Sequence, residues 1–380
     1  MTKYIRARNS AVLFKHETVA GVDAAPTAAD YIPGEDVSIS FDANTIQTNE
    51  NTGSLDSSAP IIGGMRATVS FSVLMRGTGT AGTAPVYGRV LEVCGMRETA
   101  NTDTPVAAVL ATGGTTTTAA LPTADFGTTA NAWNGAPLFV DAGLTFVSNY
   151  AADGTATLVE TLGTAVTTTN NVQIPAHVLY SPYSGDDIPT GTLHLYMDGT
   201  KYTLTECRGS WSVRIDAAGV GRISFEINGM FNGKTDAAVP NISFDAPTPP
   251  TWRAGKALVD RSAAACSSLS LTSGNEVVNP NDPNASEGFA GAIITSRNIT
   301  GSIDPLDTLV ATRDVMSAFR NGVAQVVHAR FGSTAGNRVA VTIPAAKYTS
   351  LNPGDREGLV TAETGFSAVG IDSGAYICIY

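Results

Sequence analysis

The clearest hydrophobic pattern lies in residues 202–231, where two runs of alternating apolar and polar side chains flank a glycine-rich turn. The apolar positions are Trp211, Val213, Ile215, Ile223, Phe225 and Ile227. Because side chains alternate between the two faces of a strand, this period of two predicts a long β-hairpin with one apolar and one polar face. Two strands alone are marginal in water, so the apolar face must pack against further elements.

The same alternation recurs along most of the chain and predicts a mainly β protein. Further strands are centred on Ile39, Phe71, Leu195, Leu271, Gly301, Val341 and Phe366. Two short amphipathic helices interrupt this pattern. One carries Tyr87, Val90, Leu91 and Cys94 on a single face. The other is expected to begin at Asp304 and Pro305, an N-cap acid followed by proline, and to end at Gly322.

The order of the elements indicates two similar halves separated by the proline-rich linker 246–251. In each half a strand is followed by a long polar loop, a second strand, a helix and further strands. We therefore predict two tandem β-sandwich or split-barrel domains that arose by internal duplication. The expected divisions are an N-terminal arm at 1–30, a first domain at 31–101 and 179–247, an inserted small β-module at 102–178, and a second domain at 248–380.

Composition and charge exclude several classes of function. The net charge of -11 argues against wrapping nucleic acid, which needs clustered Lys and Arg to neutralise phosphates. The four cysteines are scattered, and neither they nor the four histidines show metal-ligand spacing. Hydrolase motifs are absent from the sequence. We therefore expect no enzymatic activity, no cofactor and no metal. With neither a signal sequence nor a membrane span, the chain is expected to be made soluble in a cytoplasm.

One glycine pattern matches a cofactor motif formally. Gly77, Gly79 and Gly82 have the spacing of the dinucleotide-binding fingerprint. That motif requires a helix to start at the third glycine and a parallel strand to follow. Here three further residues intervene and no βαβ alternation follows, so the segment is interpreted as a glycine loop.

Several segments together resemble the tail tube, or major tail, proteins of long, non-contractile-tailed bacteriophages. The resemblance covers roughly residues 11–99 and 190–370. It rests on the joint order of FKHETVAGVDAAPTAAD, GGMRATVSFSVLMRG, LYMDGTKYTLTECRGSWSVRIDAAGVGRISFEINGMFNG, GNEVVNP, GAIITSRNITGSIDP and PGDREGL. The module at 102–178 lies outside the resemblance.

The resemblance implies a structural virion protein that polymerises as stacked rings into a tail tube, with an acidic or neutral channel through which DNA is ejected. Two fold copies in one chain imply a homotrimeric, pseudo-hexameric ring. The implied partners are other copies of the chain, the tape measure protein and DNA in the lumen, and the tail terminator and tail tip proteins, with no membrane. The expected location is the virion tail, assembled in the host cytoplasm.

Two groups of residues are candidates for roles in such a tube. The polar face of the hairpin would line the lumen through Ser212, Arg214, Asp216, Ser224, Glu226 and Asn228. The long polar loops would reach between stacked rings through Gln47, Asn51, Asp56, Asn281, Asn284 and Glu287. Arg214 and Arg222 weaken the argument for an acidic lumen unless they pair with Asp216 or Glu226 across strands.

Two alternative functions remain open at this point. The chain could be another ring-forming or tube-forming protein of virions or secretion tubes. It could also be a carbohydrate-binding, adhesive β-protein that uses Trp133 and Tyr150 of the inserted module.

Overall fold

The computed structural model describes residues 4–6, 8–48, 50–51, 53, 55–103, 105–243, 246–285 and 287–380. Parts of the predicted N-terminal arm and of the loop 47–58 therefore lie outside the described residues. Strands hold 51% of the residues and helices 5%. The prediction of a mainly β fold is confirmed.

The first half of the chain contains long strands and one short helix. Its elements are β1 (Ser10–His16), β2 (Tyr31–Ile32), β3 (Glu35–Ile46), β4 (Ile61–Leu74), α1 (Gly88–Val93) and β5 (Met96–Asn101). The chain then enters an inserted module. It returns as β13 (His177–Pro182), β14 (Gly191–Met197), β15 (Thr200–Asp216) and β16 (Arg222–Asp236). The last two strands are the hairpin predicted from the alternating pattern.

The inserted module forms a seven-stranded sheet of its own. Its elements are β6 (Val106–Leu110), β7 (Gly113–Gly114), β8 (Thr118–Ala120), α2 (Thr123–Phe126), β9 (Pro137–Val140), β10 (Gly143–Tyr150), β11 (Thr155–Leu158) and β12 (Asn171–Ile174). The buried apolar side chains of this module form a hydrophobic core of their own. Phe146 anchors the module to the second half, with its ring centroid 4.7 Å from that of His328 and 5.2 Å from that of Tyr380.

The second half follows the proline-rich linker. Its elements are β17 (Lys256–Val259), β18 (Ser262–Ala263), β19 (Cys266–Thr272), β20 (Asn275–Val278), β21 (Ile293–Arg297), β22 (Thr300–Pro305), α3 (Val315–Asn321), β23 (Gln325–Phe331), β24 (Val339–Arg356), β25 (Leu359–Ala368) and β26 (Tyr376–Ile379). Strands β20 and β21 pair with each other, so the segment predicted as a polar loop contains a strand.

Six strands in each half are connected in the same way. The first-half sheet runs β1-β14-β15-β16-β4-β3. The second-half sheet runs β17-β23-β24-β25-β22-β19. Numbered by position in the chain, both are ordered 1-4-5-6-3-2, with the helix between the third and fourth strands. The two halves therefore share one topology.

The halves are joined by direct strand pairing. The end of β15 pairs with β19, with Ser212 opposite Thr272 and Asp216 opposite Ser268. This junction extends the sheet to eight strands in the order β3-β4-β16-β15-β19-β22-β25-β24. A single hydrophobic cluster lies beneath it and includes Trp211 and Phe225 from the first half and Leu271 and Phe366 from the second.

Two sequence predictions are wrong in position. Residues 10–16, which were placed in the N-terminal arm, form the core strand β1, in which Leu13 and Phe14 are fully buried. The second helix does not begin at Asp304 and Pro305. Asp304 instead accepts hydrogen bonds from the backbone N–H groups of Ser267 and Ser268 across the β19–β22 pair, and the helix is capped by Asp314, which accepts from the Ser317 N–H at 2.8 Å. Its predicted end is right, because Gly322 adopts a left-handed conformation there.

Candidate assembly surface and polar sheet face

The eight-stranded sheet carries one row of polar side chains straight across the junction between the halves. Residues opposite one another in the strand register share a face of the sheet. One such row consists of Glu35, Ser72, Ser224, Ser212, Thr272, Thr300, Ser367 and Lys347. Six of these eight side chains are Ser or Thr, so the row is mostly uncharged hydroxyl groups.

The neighbouring row on the opposite face is apolar and closes the core. It consists of Val73, Ile223, Val213, Leu271, Gly301, Phe366 and Tyr348. The glycine is required by packing, since a Cβ on Gly301 would lie 2.6 Å from the Phe366 ring. The strict alternation between the rows explains why the sequence pattern revealed this sheet.

The six residues predicted to line a lumen all lie on the polar face. Arg214, Ser224 and Glu226 are exposed, and the other three are half-buried. Hydrogen bonds link this face from strand to strand. The Ser72 and Ser224 hydroxyl oxygens are 2.7 Å apart, and the Thr68 hydroxyl donates to Asn228 Oδ1 at 2.6 Å. The structure therefore brings these six residues together on one surface.

Both arginines on this face are paired with carboxylates. Arg214 Nη2 lies 3.1 Å from Asp216 Oδ1. Arg222 Nε lies 3.2 Å from Glu35 Oε2 on β3. Glu226 stands exposed. The charges of Arg214 and Arg222 are thus neutralised locally, whereas Lys347 at the far end of the polar row is exposed.

The residues predicted to contact other rings lie at the tips of two hairpins. Gln47, Asn51 and Asp56 are exposed in the turn between β3 and β4. Asn281 and Asn284 are exposed between β20 and β21. Glu287 has a different environment, because its carboxylate accepts a hydrogen bond from the Met65 N–H at 3.0 Å within the same chain.

A bulge interrupts the hairpin at the level of Gly229. Thr205 pairs with Met230 and Arg208 pairs with Asn228, so the two residues between them on β15 face the single Gly229. A Cβ on Gly229 would lie 2.7 Å from Cys207 Sγ. The extra residue of the bulge therefore lies on β15.

The glycine loop packs tightly against the second half. A Cβ on Gly77 would lie 1.9 Å from the carbonyl oxygen of Gly336, and the N–H of Gly79 donates to that oxygen at 3.1 Å. These glycines therefore serve chain packing.

A cluster of titratable side chains surrounds α1. Burial, reinforced by the Glu98 carboxylate and opposed by Arg89, raises the pKa of Glu92 to about 7. Burial lowers the pKa of His16, whose Nε2 lies 3.6 Å from Glu92 Oε2. The Tyr180 hydroxyl donates to Glu98 at 2.7 Å. Each of these groups is held by the core, and together they form a structural network beside β1.

The aromatic residues of the inserted module are used internally. Tyr150 is fully buried and its hydroxyl donates to the Gly127 carbonyl at 2.5 Å. Trp133 donates its indole N–H to the Phe126 carbonyl at 2.8 Å and packs edge-on against the Phe126 ring. Tyr150 therefore has no open face on which a sugar could stack.

Comparisons with protein-family models and with curated proteins give no match to this chain. Among the described residues, no three His, Cys, Asp or Glu side chains gather into a group that could hold a metal ion. None of the helices in the described ranges is long and apolar enough to cross a membrane.

Two open strand edges were not identified from the sequence. In the described part of the sheet, β3 pairs only with β4, and residues 348–356 of β24 pair only with β25. Unpaired N–H and C=O groups at such edges are available to another strand. An open edge depends on which strands do not pair beside it, and no local residue pattern encodes this. The repeated order of elements is the sequence signal that could have indicated these edges.

Proposed function

We propose that this chain is a structural virion protein, a tail tube protein that polymerises as stacked rings around a channel for DNA. The observation that carries the proposal is the eight-stranded sheet, whose hydroxyl-rich face crosses both halves of the chain. A sheet with one wet face and two open edges is suited to closing, with further copies, into a water-filled ring.

The width of the sheet agrees with a ring of three copies. Eight strands at about 4.8 Å each span roughly 38 Å, so three copies supply 24 strands and a circumference of about 115 Å. A cylinder of that circumference is roughly 37 Å across, and wider if the strands tilt relative to its axis. After the short Ser and Thr side chains are subtracted, such a channel still admits a DNA duplex.

The chemistry of the polar face supports a channel that DNA can pass through. Each phosphate neutralised by Lys or Arg adds salt-dependent affinity that would hold DNA in place. Here Arg214 and Arg222 are already paired with Asp216 and Glu35. Beside the hydroxyl groups, the two paired arginines and Glu226, the exposed Lys347 is the cation of this row that could contact a passing phosphate backbone. The tape measure protein would occupy the same lumen before DNA.

The proposal is tested by assembly of the purified protein. Concentrated protein should form rings or hollow tubes in negative-stain electron micrographs. Three subunits of 39.2 kDa give a ring mass of about 118 kDa by sedimentation or mass photometry. Six subunits per ring would refute the trimer. A protein that stays monomeric up to the concentrations reached during assembly in a host cell, about 100 μM by order of magnitude, would refute the tube.

A further inference from the structure

The junction between the two halves shows how one unit of this fold receives another. In the first half, β15 pairs with β14 along its first part and with β19 along its last part. In the second half, β24 has the same position and pairs with β23 along its first part. The matching last part of β24, residues 352–356, pairs with β25 on one side and has no strand on its other side in the described structure.

The strand that would fill this place is β3 of another copy. Strand β19 is the outermost strand of the second-half sheet, and β3 is the outermost strand of the first-half sheet. The two strands therefore have equivalent positions. Strand β19 pairs with β15 of the same chain, whereas the outer edge of β3 is open. The open edge of β3 on one copy thus matches the open edge of β24 on the next.

A second contact accompanies the strand pairing inside the chain. The hairpin β19–β22 continues into the second extension, defined as residues 273–299, which crosses the end of α1. Asn275 Nδ2 donates to the carbonyl of Cys94 at 2.7 Å, and Arg297 Nη1 donates to the carbonyl of Gly95 at 2.7 Å. The extension thus caps the C-terminal end of α1, whose Val90, Leu91 and Val93 are fully buried.

The first half has an extension of the same length. Thr272 and Thr300 pair at the base of the second extension, and Ser40 and Thr68 pair at the matching level of β3 and β4. The first extension, defined as residues 41–67, therefore contains 27 residues, as does 273–299. Among the described residues of this extension, the exposed large apolar side chains are Phe41, Ile46, Leu55, Ile61 and Ile62.

The helix that this first extension would cover is also exposed. Met316 on α3 and Val323 just after it are 60% and 48% exposed. A cavity of about 120 Å³ beneath the open edge of β24 is lined by Val310, Met316, Leu351 and Pro353, among others. In the first half the equivalent space is filled by Leu269 and Leu271 of β19, both buried. Val37 and Ile39 of β3 match those leucines.

We propose that a second copy of this chain docks head-to-tail, with its β3 added to residues 352–356 of β24 and its first extension laid over α3. The internal junction fixes the register. Val213 opposite Leu271 becomes Pro353 opposite Ile39, and Ser212 opposite Thr272 becomes Asn352 opposite Ser40. Because proline has no N–H, the Pro353–Ile39 pair keeps only the hydrogen bond from the Ile39 N–H to the Pro353 carbonyl. This inference rests on the proposed function only in taking the copies to form a ring, because a head-to-tail contact either closes into a ring or continues as a filament.

Cysteine pairs test the register directly. The Ser273 N–H donates to the Trp211 carbonyl at 2.9 Å, so Ser212 and Thr272 form a non-hydrogen-bonded pair, whose Cα atoms lie about 4.5 Å apart. That separation suits a disulfide. In a Cys266→Ser background, Ser40→Cys with Asn352→Cys should link different copies under mild oxidation. Ser212→Cys with Thr272→Cys is the matched control and should form a bond within one chain.

A displaced pair provides the negative control. Ser40→Cys with Arg356→Cys moves one partner four residues along β24, about 13 Å, and should give no intermolecular bond above background. On non-reducing gels the variant with Ser40→Cys and Asn352→Cys should give covalent dimers and trimers. A ladder ending at trimers indicates a closed ring, and a longer ladder indicates a filament; both support the docking.

A single-residue variant gives an independent readout. Ile39→Asp introduces a charge that the free copy leaves partly solvated but the docked copy buries in the cavity. We expect the concentration needed for assembly to rise at least about tenfold. Ile39 also packs against the core of its own chain, so thermal unfolding of the dilute monomer is measured separately to report the loss of monomer stability. The docking would be overturned if Ile39→Asp protein formed rings normally, or if rings of the Ser40→Cys, Asn352→Cys variant formed no disulfide between copies. Neither result would contradict the proposed tube. Wild-type protein that forms no ring would refute the proposed function instead.

Discussion

Replacing Glu92 with glutamine should make the protein more stable at alkaline pH. Glu92 lies on α1, its side chain is 27% exposed, and the Glu98 carboxylate is a near neighbour. Its pKa of about 7 in the folded protein lies above its ordinary value of 4.5. Below pH 4.5 the carboxyl group is protonated in both the folded and the unfolded chain, so Glu92 causes no loss of stability there.

The loss appears as the pH rises. The unfolded chain ionises Glu92 near pH 4.5, whereas the folded chain resists until about pH 7, so the free energy of unfolding falls across this window. A difference of about 2.5 between the two pKa values, at 1.36 kcal/mol each, corresponds to roughly 3 kcal/mol. Glutamine is neutral at every pH. The Glu92→Gln variant should therefore match wild type near pH 4.5 and exceed it by up to about 3 kcal/mol at pH 8.

Urea unfolding at pH 4.5, 6, 7 and 8 measures this difference. The pKa of His16 is lowered by burial, and its Nε2 lies 3.6 Å from Glu92 Oε2, so the same comparison in a His16→Gln background removes its contribution. Glu226→Gln, at an exposed position on the sheet, is the matched control and should show no such trend. A difference between Glu92→Gln and wild type that is the same at all four pH values would refute the reasoning.

Three further predictions concern the sheet. Trp211→Ala removes the largest fully buried side chain of the core and should lower the free energy of unfolding by about 3–5 kcal/mol in urea titrations; a loss below about 1 kcal/mol would contradict its place in the core. Gly301→Val should displace the Phe366 ring and lower the melting temperature, whereas Ser302→Val on the polar face should not. Glu226→Lys places three lysines in each trimeric ring, so assembled tubes should retain DNA with a salt slope of roughly -0.9 per phosphate contacted; tubes that retain no more DNA than wild type would show that this face lies outside the lumen.

The strands with one wet face were predictable, and their partners were not. Alternation marked the hairpin because Trp211 and Phe225 point into one core while Ser212 and Ser224 point to solvent. The pairing of Ser212 with Thr272 joins residues 60 positions apart, and no local pattern encodes that register. Strand β26 was also missed, since all four of its residues are buried and a short apolar run has no period of two.

The helix error has a specific physical cause. Asp304 followed by proline has the composition of a helix start, yet the same carboxylate satisfies two backbone N–H groups on β19. Pro305 can end a strand because it sits opposite Cys266 at the end of the ladder. The cap at Asp314 carries the same chemistry ten residues later. Local propensity correctly indicated an aspartate N-cap for this helix. The strand pairing determined that Asp314, and not Asp304, is the residue that caps it.

The candidate lumen residues were grouped correctly because they share one face of one hairpin. Whether that face lines a channel remains a prediction. The proposed inter-ring residues were less tractable, since Glu287 turns back to bind the Met65 N–H of its own chain. The length of a polar loop can be read from the sequence. The contacts of its tip depend on which elements lie next to it in the folded protein.

The two halves share one topology and are joined in a single chain, which affects both how they associate and how far their sequences can diverge. In the proposed ring of three copies, three of the six equivalent contacts would be made inside a chain, where the proline-rich linker holds the partners at high effective concentration. Only the other three require an encounter between molecules. Linked units also need not remain alike. The inserted module follows α1 alone, so a ring would display three such modules in alternate positions, a spacing that six identical subunits could not produce.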